Sequence, residues 1–103
     1  MFLAVCDDHS MPRPNVNVEV EGCECDFVWA DRRLVVETDG AAAHGTRRAR
    51  KRDPLRDARL MAAGWRVWRV SWEEVAGEPG GVAEQLQRLL TPGPAAPVAP
   101  RPR

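Results

Sequence analysis

Polar and apolar residues alternate along residues 15–29, and this pattern predicts a β-hairpin. Valines at every second position from residue 16 to residue 20 predict a first strand with one buried face. Glu21-Gly22 is a candidate for a tight turn. The return strand continues the alternation and predicts one shared face for Cys23, Cys25, Phe27 and Trp29. Asp26 is therefore expected to point to the opposite face.

Two further segments predict the rest of a sheet. Residues 34–36 form a short continuous apolar run, which is typical of a central strand, and Gly40 ends it. Residues 65–70 alternate again and predict a fourth strand. We expect Asp26 and Glu37 to lie nearly opposite each other, because their strands pair around a turn at residues 30–33.

The helix between these two segments has two alternative starts. Asp53 is a good N-cap with Pro54 at the first helical position, which predicts a helix over residues 54–63. Alternatively, one longer helix begins near Thr46 and is kinked at Pro54. In both cases Gly64 ends the helix as its C-cap.

Helical patterns also occur at both ends of the chain. Residues 2–9 are largely apolar and have no N-cap, which predicts the last part of a truncated helix. Ser71 and Glu74 fit a capping box, and residues 82–90 carry the apolar stripe of a last helix. The predicted order is partial helix, three strands, helix, strand and helix. Three consecutive strands followed by a right-handed helical crossover into a fourth strand give a mixed sheet. We therefore expect an α/β (α+β) fold with a mixed four-stranded sheet flanked by helices.

Length and composition limit the class of protein. The 103 residues allow one domain, which we expect over residues 1–90. Residues 91–103 hold five of the nine prolines and predict a disordered tail. No apolar run approaches the roughly 18 residues that span a bilayer, so we expect no membrane contact. The start has no secretion signal and the three cysteines are an odd number, which favours the cytoplasm.

The net charge is zero, but acids and bases are segregated along the chain. Residues 1–40 carry nine acids and three bases, whereas residues 41–72 carry nine bases and two acids. This contrast is consistent with an acidic metal centre beside an anion-binding segment. A solvated basic face is the alternative interpretation.

Three acids indicate where the acidic centre would lie. Asp26 falls on the second strand, and Glu37 and Asp39 share a face of the third. Like charges opposite each other destabilise a sheet, so a neutral amide at either of the first two positions should relieve repulsion. A cation would also reverse the repulsion, and hard oxygen ligands suit Mg²⁺ or Mn²⁺. The spacing also fits hydrated acids at a strand end.

Several blocks of the sequence together resemble a known family. They are Glu24 to Trp29, Arg33 to Gly40, His44, Asp53-x-x-Arg56 and Leu60 to Arg69. Over residues 2–90 the chain is similar to the domain of unknown function 559 family, relatives of the very-short-patch-repair endonuclease. These proteins belong to the restriction-endonuclease-like PD-(D/E)XK superfamily. The resemblance therefore implies a restriction-endonuclease-like core and metal-dependent hydrolysis of DNA.

The resemblance also implies roles for individual residues. Asp26 takes the place of the metal-binding Asp, and Glu37 takes the acidic place of the (D/E)-x-K motif. The backbone carbonyl of Thr38 is a further candidate ligand of Mg²⁺ or Mn²⁺. Asp39 stands where the superfamily usually has Lys, and it is a candidate base or second-metal ligand. His44 is a candidate for proton transfer because its unperturbed pKa lies near 6.5.

The basic residues that follow suit contacts with DNA phosphates. This segment comprises Arg47, Arg48, Arg50, Lys51 and Arg52. On one continuous helix, Asp53 and Arg56 would face the sheet, where Asp53 has a structural role and Arg56 adds to the DNA-binding set. A local salt bridge with an N-cap, and an exposed basic helix end, are the alternatives.

The sequence thus predicts a metal-dependent DNA endonuclease domain. A catalytically degenerate nucleic-acid-binding or interaction module of the same fold is the alternative. Family members usually have a fuller first helix with an acidic residue near the metal, and this sequence begins inside that helix. The oligomeric state is not predicted, and a homodimer and a preceding N-terminal DNA-binding region both stay open.

Overall fold

The computed structural model describes residues 1–39 and 54–91. In chain order the elements are α1 (Phe2–Asp8), β1 (Asn15–Val20), β2 (Cys23–Trp29), a 3-10 turn (Ala30–Arg32), β3 (Leu34–Asp39), α2 (Pro54–Ala62), β4 (Arg66–Ser71), α3 (Trp72–Gly77) and α4 (Pro79–Leu90). The four strands form one sheet in the order β1-β2-β3-β4. The β1–β2 and β2–β3 pairs are antiparallel, and the β3–β4 pair is parallel. The predicted mixed four-stranded sheet flanked by helices is confirmed.

Local chemistry explains why the elements begin and end where they do. Glu21 and Gly22 have φ angles of 52° and 78°, as a two-residue hairpin turn of the mirror-image type requires. The Ser71 hydroxyl accepts the Glu74 N–H at 3.0 Å, and Glu74 Oε1 accepts the Ser71 N–H at 3.0 Å. The predicted turn and capping box are therefore both confirmed. Gly64, with φ of 92°, follows α2 as predicted.

The start of α2 agrees with one part of the prediction. The helix is described from Pro54 onward, and Pro is well tolerated at a first helical position. Residues 40–53 lie outside the described part of the chain, so the two alternative starts both stay predictions.

Apolar side chains pack on both faces of the sheet. The main cluster joins the sheet to α1, α3 and α4, and includes Phe2, Phe27, Val36, Val70 and Leu86. A smaller cluster lies against α2, and consists of Val20, Cys23, Cys25, Val28, Val35 and Leu60. The face that α2 covers is therefore the less apolar one, and polar side chains complete it.

Strand β2 does not keep one face along its length, which corrects the predicted alternation. Cys23 and Cys25 pack in the smaller cluster, whereas Phe27 and Trp29 pack in the main cluster. The change of face occurs at Asp26. The β1–β2 register, Val16 with Phe27 and Val18 with Cys25, places Asn17 opposite Asp26, and Asn17 has a φ of 56°. A residue with positive φ in the middle of a strand bends the backbone locally, and such distortions change the direction in which side chains of a strand pair point. The distortion at Asn17 of β1 thus lies opposite the change of face in β2.

We expect Asn17 to be required for this distortion. Asn and Gly adopt positive φ easily, whereas a β-branched residue does not. Asn17→Gly should change the free energy of unfolding little, and Asn17→Val should lower it by about 1–2 kcal/mol. Urea denaturation followed by circular dichroism measures both. Asn15→Val is the matched control, because Asn15 is an exposed asparagine of the same strand without positive φ. An equal loss in both valine variants would contradict the expectation.

Helix α1 buries the thiol of Cys6 in the main cluster, and this burial makes the stability of the fold depend on pH in the alkaline range. Burial, followed by the charge of Asp7, raises the pKa of Cys6 to about 11 from an ordinary value of 9.0. Above pH 9 the unfolded chain loses this proton while the folded chain keeps it, so stability falls as pH rises toward 11. The sequence has no Tyr and its only Lys is Lys51, but the buried thiol of Cys25, whose pKa is raised to about 12, adds a decline of its own over this range.

We therefore expect Cys6→Ala to make the decline in stability between pH 9 and 11 less steep, while the part caused by Cys25 remains. Denaturant midpoints measured at intervals over this range supply the slope. Val5→Ala is the control, because it also opens space in the core beside α1 but removes no titrating group. It should lower stability equally at each pH. A slope unchanged in Cys6→Ala would disprove the assignment.

No helix within residues 1–39 and 54–91 is both long enough and apolar enough to cross a membrane.

Candidate active site

The carboxylates of Asp26 and Glu37 lie where strands β2 and β3 separate. The antiparallel ladder pairs Trp29 with Leu34 and Phe27 with Val36. One step further, the backbone N–H of Asp26 donates to Glu37 Oε2 at 3.3 Å. The Glu37 carboxylate therefore contacts the Asp26 backbone at the end of the ladder, and the two residues are neighbours across the strands, as the spacing predicted.

Thr38 completes this junction of the two strands. Its backbone N–H donates to Asp26 Oδ2 at 3.0 Å, and its hydroxyl donates to the same oxygen at 3.3 Å. Glu37 is 0% exposed, while Asp26 and Thr38 are 7% and 8% exposed. Buried carboxylates need hydrogen-bond donors, and each carboxylate here accepts a backbone N–H of the neighbouring strand.

Arg56 from the first turn of α2 contacts the buried glutamate. Its Nη2 atom donates to Glu37 Oε2 at 3.0 Å and to the Glu24 carbonyl at 2.7 Å. The Arg56 side chain is 8% exposed, so this is an internal ion pair. The sequence predicts both a sheet-facing position and DNA contacts for Arg56. In the structure the Arg56 side chain lies against the sheet. Its N–H groups donate to the Glu37 carboxylate and the Glu24 carbonyl inside the protein and do not face solvent.

A second arginine reaches the same place from β4. Asp57 Oδ1 accepts from Arg56 Nη1 at 3.4 Å and from Arg69 Nη2 at 2.8 Å. Arg69 also pairs in register with Glu37 across the parallel β3–β4 ladder. Glu37, Arg56, Asp57 and Arg69 thus form a charged chain from the sheet to α2.

Sequence reasoning missed Asp57 and Arg69. A usable signal existed for Arg69, because parallel pairing of the two predicted strands sets it beside Glu37. Asp57 follows the sheet-facing Arg56 directly in the helix, and nothing in its spacing distinguishes it from a solvated acid.

The charges of this chain change the titration of their neighbours. Burial, followed by the charge of Glu37, raises the pKa of the Cys25 thiol to about 12. Burial alone would lower the pKa of Arg56, but the adjacent Glu37 outweighs it, and the pKa of Arg56 is raised. Cys25 is therefore a neutral thiol and Arg56 a permanent cation at physiological pH.

Of the other residues predicted for the site, Asp39 lies in a described strand. Asp39 ends β3 and pairs in register with Ser71, which places its backbone at the same end of the sheet. The other predicted residues lie outside the described residues: His44, Arg47, Arg48, Arg50, Lys51, Arg52 and Asp53.

Comparison with known families identifies the fold that carries this site. Residues 9–90 match the family model REase_MTES_1575. The chain belongs to this restriction-endonuclease-like family. The resemblance to the domain of unknown function 559 family is thereby confirmed.

Curated relatives of this REase_MTES_1575 domain are uncharacterized proteins. Two are from strains of Mycobacterium tuberculosis and are 31% identical over 88 residues, covering 81% of this chain and 32% of theirs. One from Haemophilus influenzae is 38% identical over 65 residues, covering 63% of this chain and 53% of its own. The chain thus spans about a third to a half of the length of these relatives.

A solved structure shares the REase_MTES_1575 fold. It is the catalytic domain of the homing endonuclease I-Bth0305I, with a TM-score of 0.68 and 20% identity. The similarity covers 84% of this chain and 85% of that domain. It shows the fold alone.

The donors of the REase_MTES_1575 site fit a hard divalent cation in their chemistry. Asp26 and Glu37 each supply a carboxylate at this strand junction, and Mg²⁺ and Mn²⁺ prefer such oxygens over nitrogen or sulfur. Among the described residues, no group of three His, Cys, Asp or Glu side chains converges as a metal site. Mg²⁺ is commonly held by one or two carboxylates, with water and substrate phosphate in the other positions. Asp26 and Glu37 match the number of carboxylates that this ion commonly takes from a protein.

Proposed function

We propose that this domain is a metal-dependent DNA endonuclease that hydrolyses phosphodiester bonds. The observation that carries the proposal is the hydrogen bond from the Asp26 backbone N–H to the Glu37 carboxylate, which places these two acids together at the end of the β2–β3 ladder. Membership of a restriction-endonuclease-like family and the fold shared with a homing endonuclease catalytic domain support it. The three cysteines are free thiols, which supports the cytoplasm as the place of action.

The residues of the chain divide the work in this proposal. Asp26 and Glu37, with the Thr38 carbonyl, would hold Mg²⁺ or Mn²⁺. When bound, such an ion neutralises phosphate charge and lowers the pKa of water. The strand junction fixes both carboxylates through backbone N–H groups, so little reorganisation is required of them when substrate binds.

Other residues would complete the reaction and bind the substrate. Asp39 and His44 are the candidates for accepting a proton from the attacking water. The phosphate backbone of DNA would be bound by the basic segment of Arg47, Arg48, Arg50, Lys51 and Arg52. Arg56 has no direct DNA contact in this mechanism because its side chain is committed to the interior.

A plasmid-nicking assay tests the proposal. The protein is incubated with supercoiled plasmid and Mg²⁺ or Mn²⁺, and nicked product is followed on gels. Asp26→Ala and Glu37→Ala should each lose more than the roughly 10- to 100-fold that removal of an outer-shell partner costs. Asp31→Asn is the control, since the Asp31 side chain is 78% exposed and belongs to a turn away from the site. Cleavage that survives both alanine variants would rule out this site.

The same preparations distinguish the non-catalytic alternative. A degenerate nucleic-acid-binding domain would retain salt-sensitive DNA binding in the wild type without cleavage in any divalent ion. Binding measured at several salt concentrations beside the nicking assay therefore separates the two functions.

A further inference from the structure

A buried arginine contacts one of the two carboxylates to which the proposed function assigns the metal. Arg56 Nη2 lies 3.0 Å from Glu37 Oε2, and the two side chains are 8% and 0% exposed. Ion pairs at this depth are screened little by water and salt. The positive charge of Arg56 therefore acts strongly on any other cation that approaches Glu37.

Arg56 is held by groups other than Glu37. Its Nη2 donates to the Glu24 carbonyl at 2.7 Å, and its Nη1 contacts Asp57 Oδ1 at 3.4 Å. Asp57 is in turn bound by Arg69 at 2.8 Å. Because these anchors do not involve Glu37, the guanidinium keeps hydrogen-bond partners when Glu37 also binds a second cation. Arg56 is thus fixed in place beside the site.

We propose that Arg56 is a positioning residue that acts as the internal counter-cation of Glu37. It orients the carboxylate in the metal-free protein and weakens the binding of a divalent cation to it. A carboxylate paired with a guanidinium shares its charge between two cations, and those cations repel each other. Cation binding then becomes most favourable when a substrate phosphate adds negative charge. The inference rests on the proposed function, because it takes Glu37 as a metal ligand.

The affinity for Mn²⁺ alone, without DNA, tests this inference. Isothermal titration calorimetry measures Kd for the wild type, Arg56→Gln and Arg56→Lys. Arg56→Gln removes the charge but keeps a hydrogen-bond donor, and it should bind Mn²⁺ about tenfold tighter or more. Arg56→Lys keeps the charge and should stay near the wild type. Arg88→Gln is the control for charge alone, since the Arg88 side chain is 71% exposed on α4.

The outcomes separate this inference from the proposed function. If the wild type binds Mn²⁺ and Arg56→Gln binds it no tighter, the inference is wrong and the metal site stands. If neither the wild type nor Arg56→Gln binds Mn²⁺, the inference and the proposed metal site are both wrong. A merely structural arginine would lower stability in Arg56→Gln equally with and without Mn²⁺ and would leave Kd unmoved.

Loss of folding in Arg56→Gln does not remove the test. Removal of Arg56 leaves a buried glutamate without its guanidinium, and that variant can unfold without metal. Circular dichroism is then followed during a Mn²⁺ titration of this variant. The midpoint of this recovery, corrected for the unfolding equilibrium of the variant, gives its intrinsic Kd, and a value below the wild-type Kd supports the inference. No recovery at saturating Mn²⁺ overturns it.

Discussion

Glu37→Ala should lower the free energy of unfolding by about 3 kcal/mol, the lower end for a broken buried pair, because Arg56 loses its most buried carboxylate partner and keeps only Asp57 and the Glu24 carbonyl. For a domain of this size, that corresponds to a fall in Tm of roughly 12 °C or more. Chemical denaturation of the wild type and the variant without added metal measures the loss. The expected loss of stability is opposite in sign to the gain that the sequence spacing suggests, since spacing alone shows two carboxylates that repel each other.

Two further variants show whether the ion pair is the cause. Glu37→Leu combined with Arg56→Leu removes both charges, and buried pairs replaced by apolar residues are often neutral in stability. The double variant should therefore recover most of the loss. Glu84→Ala breaks the exposed pair with Arg88 and should cost less than about 0.5 kcal/mol. A Glu37→Ala variant as stable as Glu84→Ala would refute the prediction.

Mn²⁺ should raise the Tm of the wild type, if the two carboxylates hold a metal as proposed. A ligand that binds only the folded state adds about 2.7 kcal/mol at a hundred times its Kd. This corresponds to a shift on the order of 10 °C for a domain of this size. Differential scanning fluorimetry over a Mn²⁺ series measures it. Asp26→Asn should abolish most of the shift, since it removes one charged ligand.

The controls for this shift use the same instrument. Asp31→Asn should show the wild-type response, because Asp31 is an exposed acid outside the site. Mn²⁺, Mg²⁺ and Ca²⁺ are compared to separate specific binding from general screening. A Tm that none of these ions moves would indicate ordinary hydrated acids at a strand end. A flat Mg²⁺ response alone is weaker, because Mg²⁺ often needs a substrate phosphate to complete its shell.

Local patterns were sufficient to predict most of the fold. The turn at Glu21-Gly22, the capping box from Ser71 and the alternation of β4 each depend on neighbouring residues only. The meeting of Asp26 and Glu37 was also predictable, because a short turn determines which residues of two strands face each other. Such features depend on chain geometry over about a dozen residues and need no knowledge of distant contacts.

The electrostatics of the site needed the tertiary structure. The spacing of Asp26 and Glu37 shows two like charges, whereas the cation that compensates one of them, Arg56, comes from a helix 19 residues further along. The face change in β2 was missed for a related reason. Period-two reasoning assumes a regular strand, and the left-handed residue Asn17 lies on the partner strand.

The position of Asn17 also has a consequence for how the protein behaves in a crowded solution. In the sheet formed by the described residues, β1 is an edge strand, and edge strands offer unpaired N–H and C=O groups to other chains. A left-handed residue in the middle of that strand interrupts the straight row of groups that a second strand would pair with. We therefore expect the distortion opposite Asp26 to disfavour aggregation of the domain through this edge.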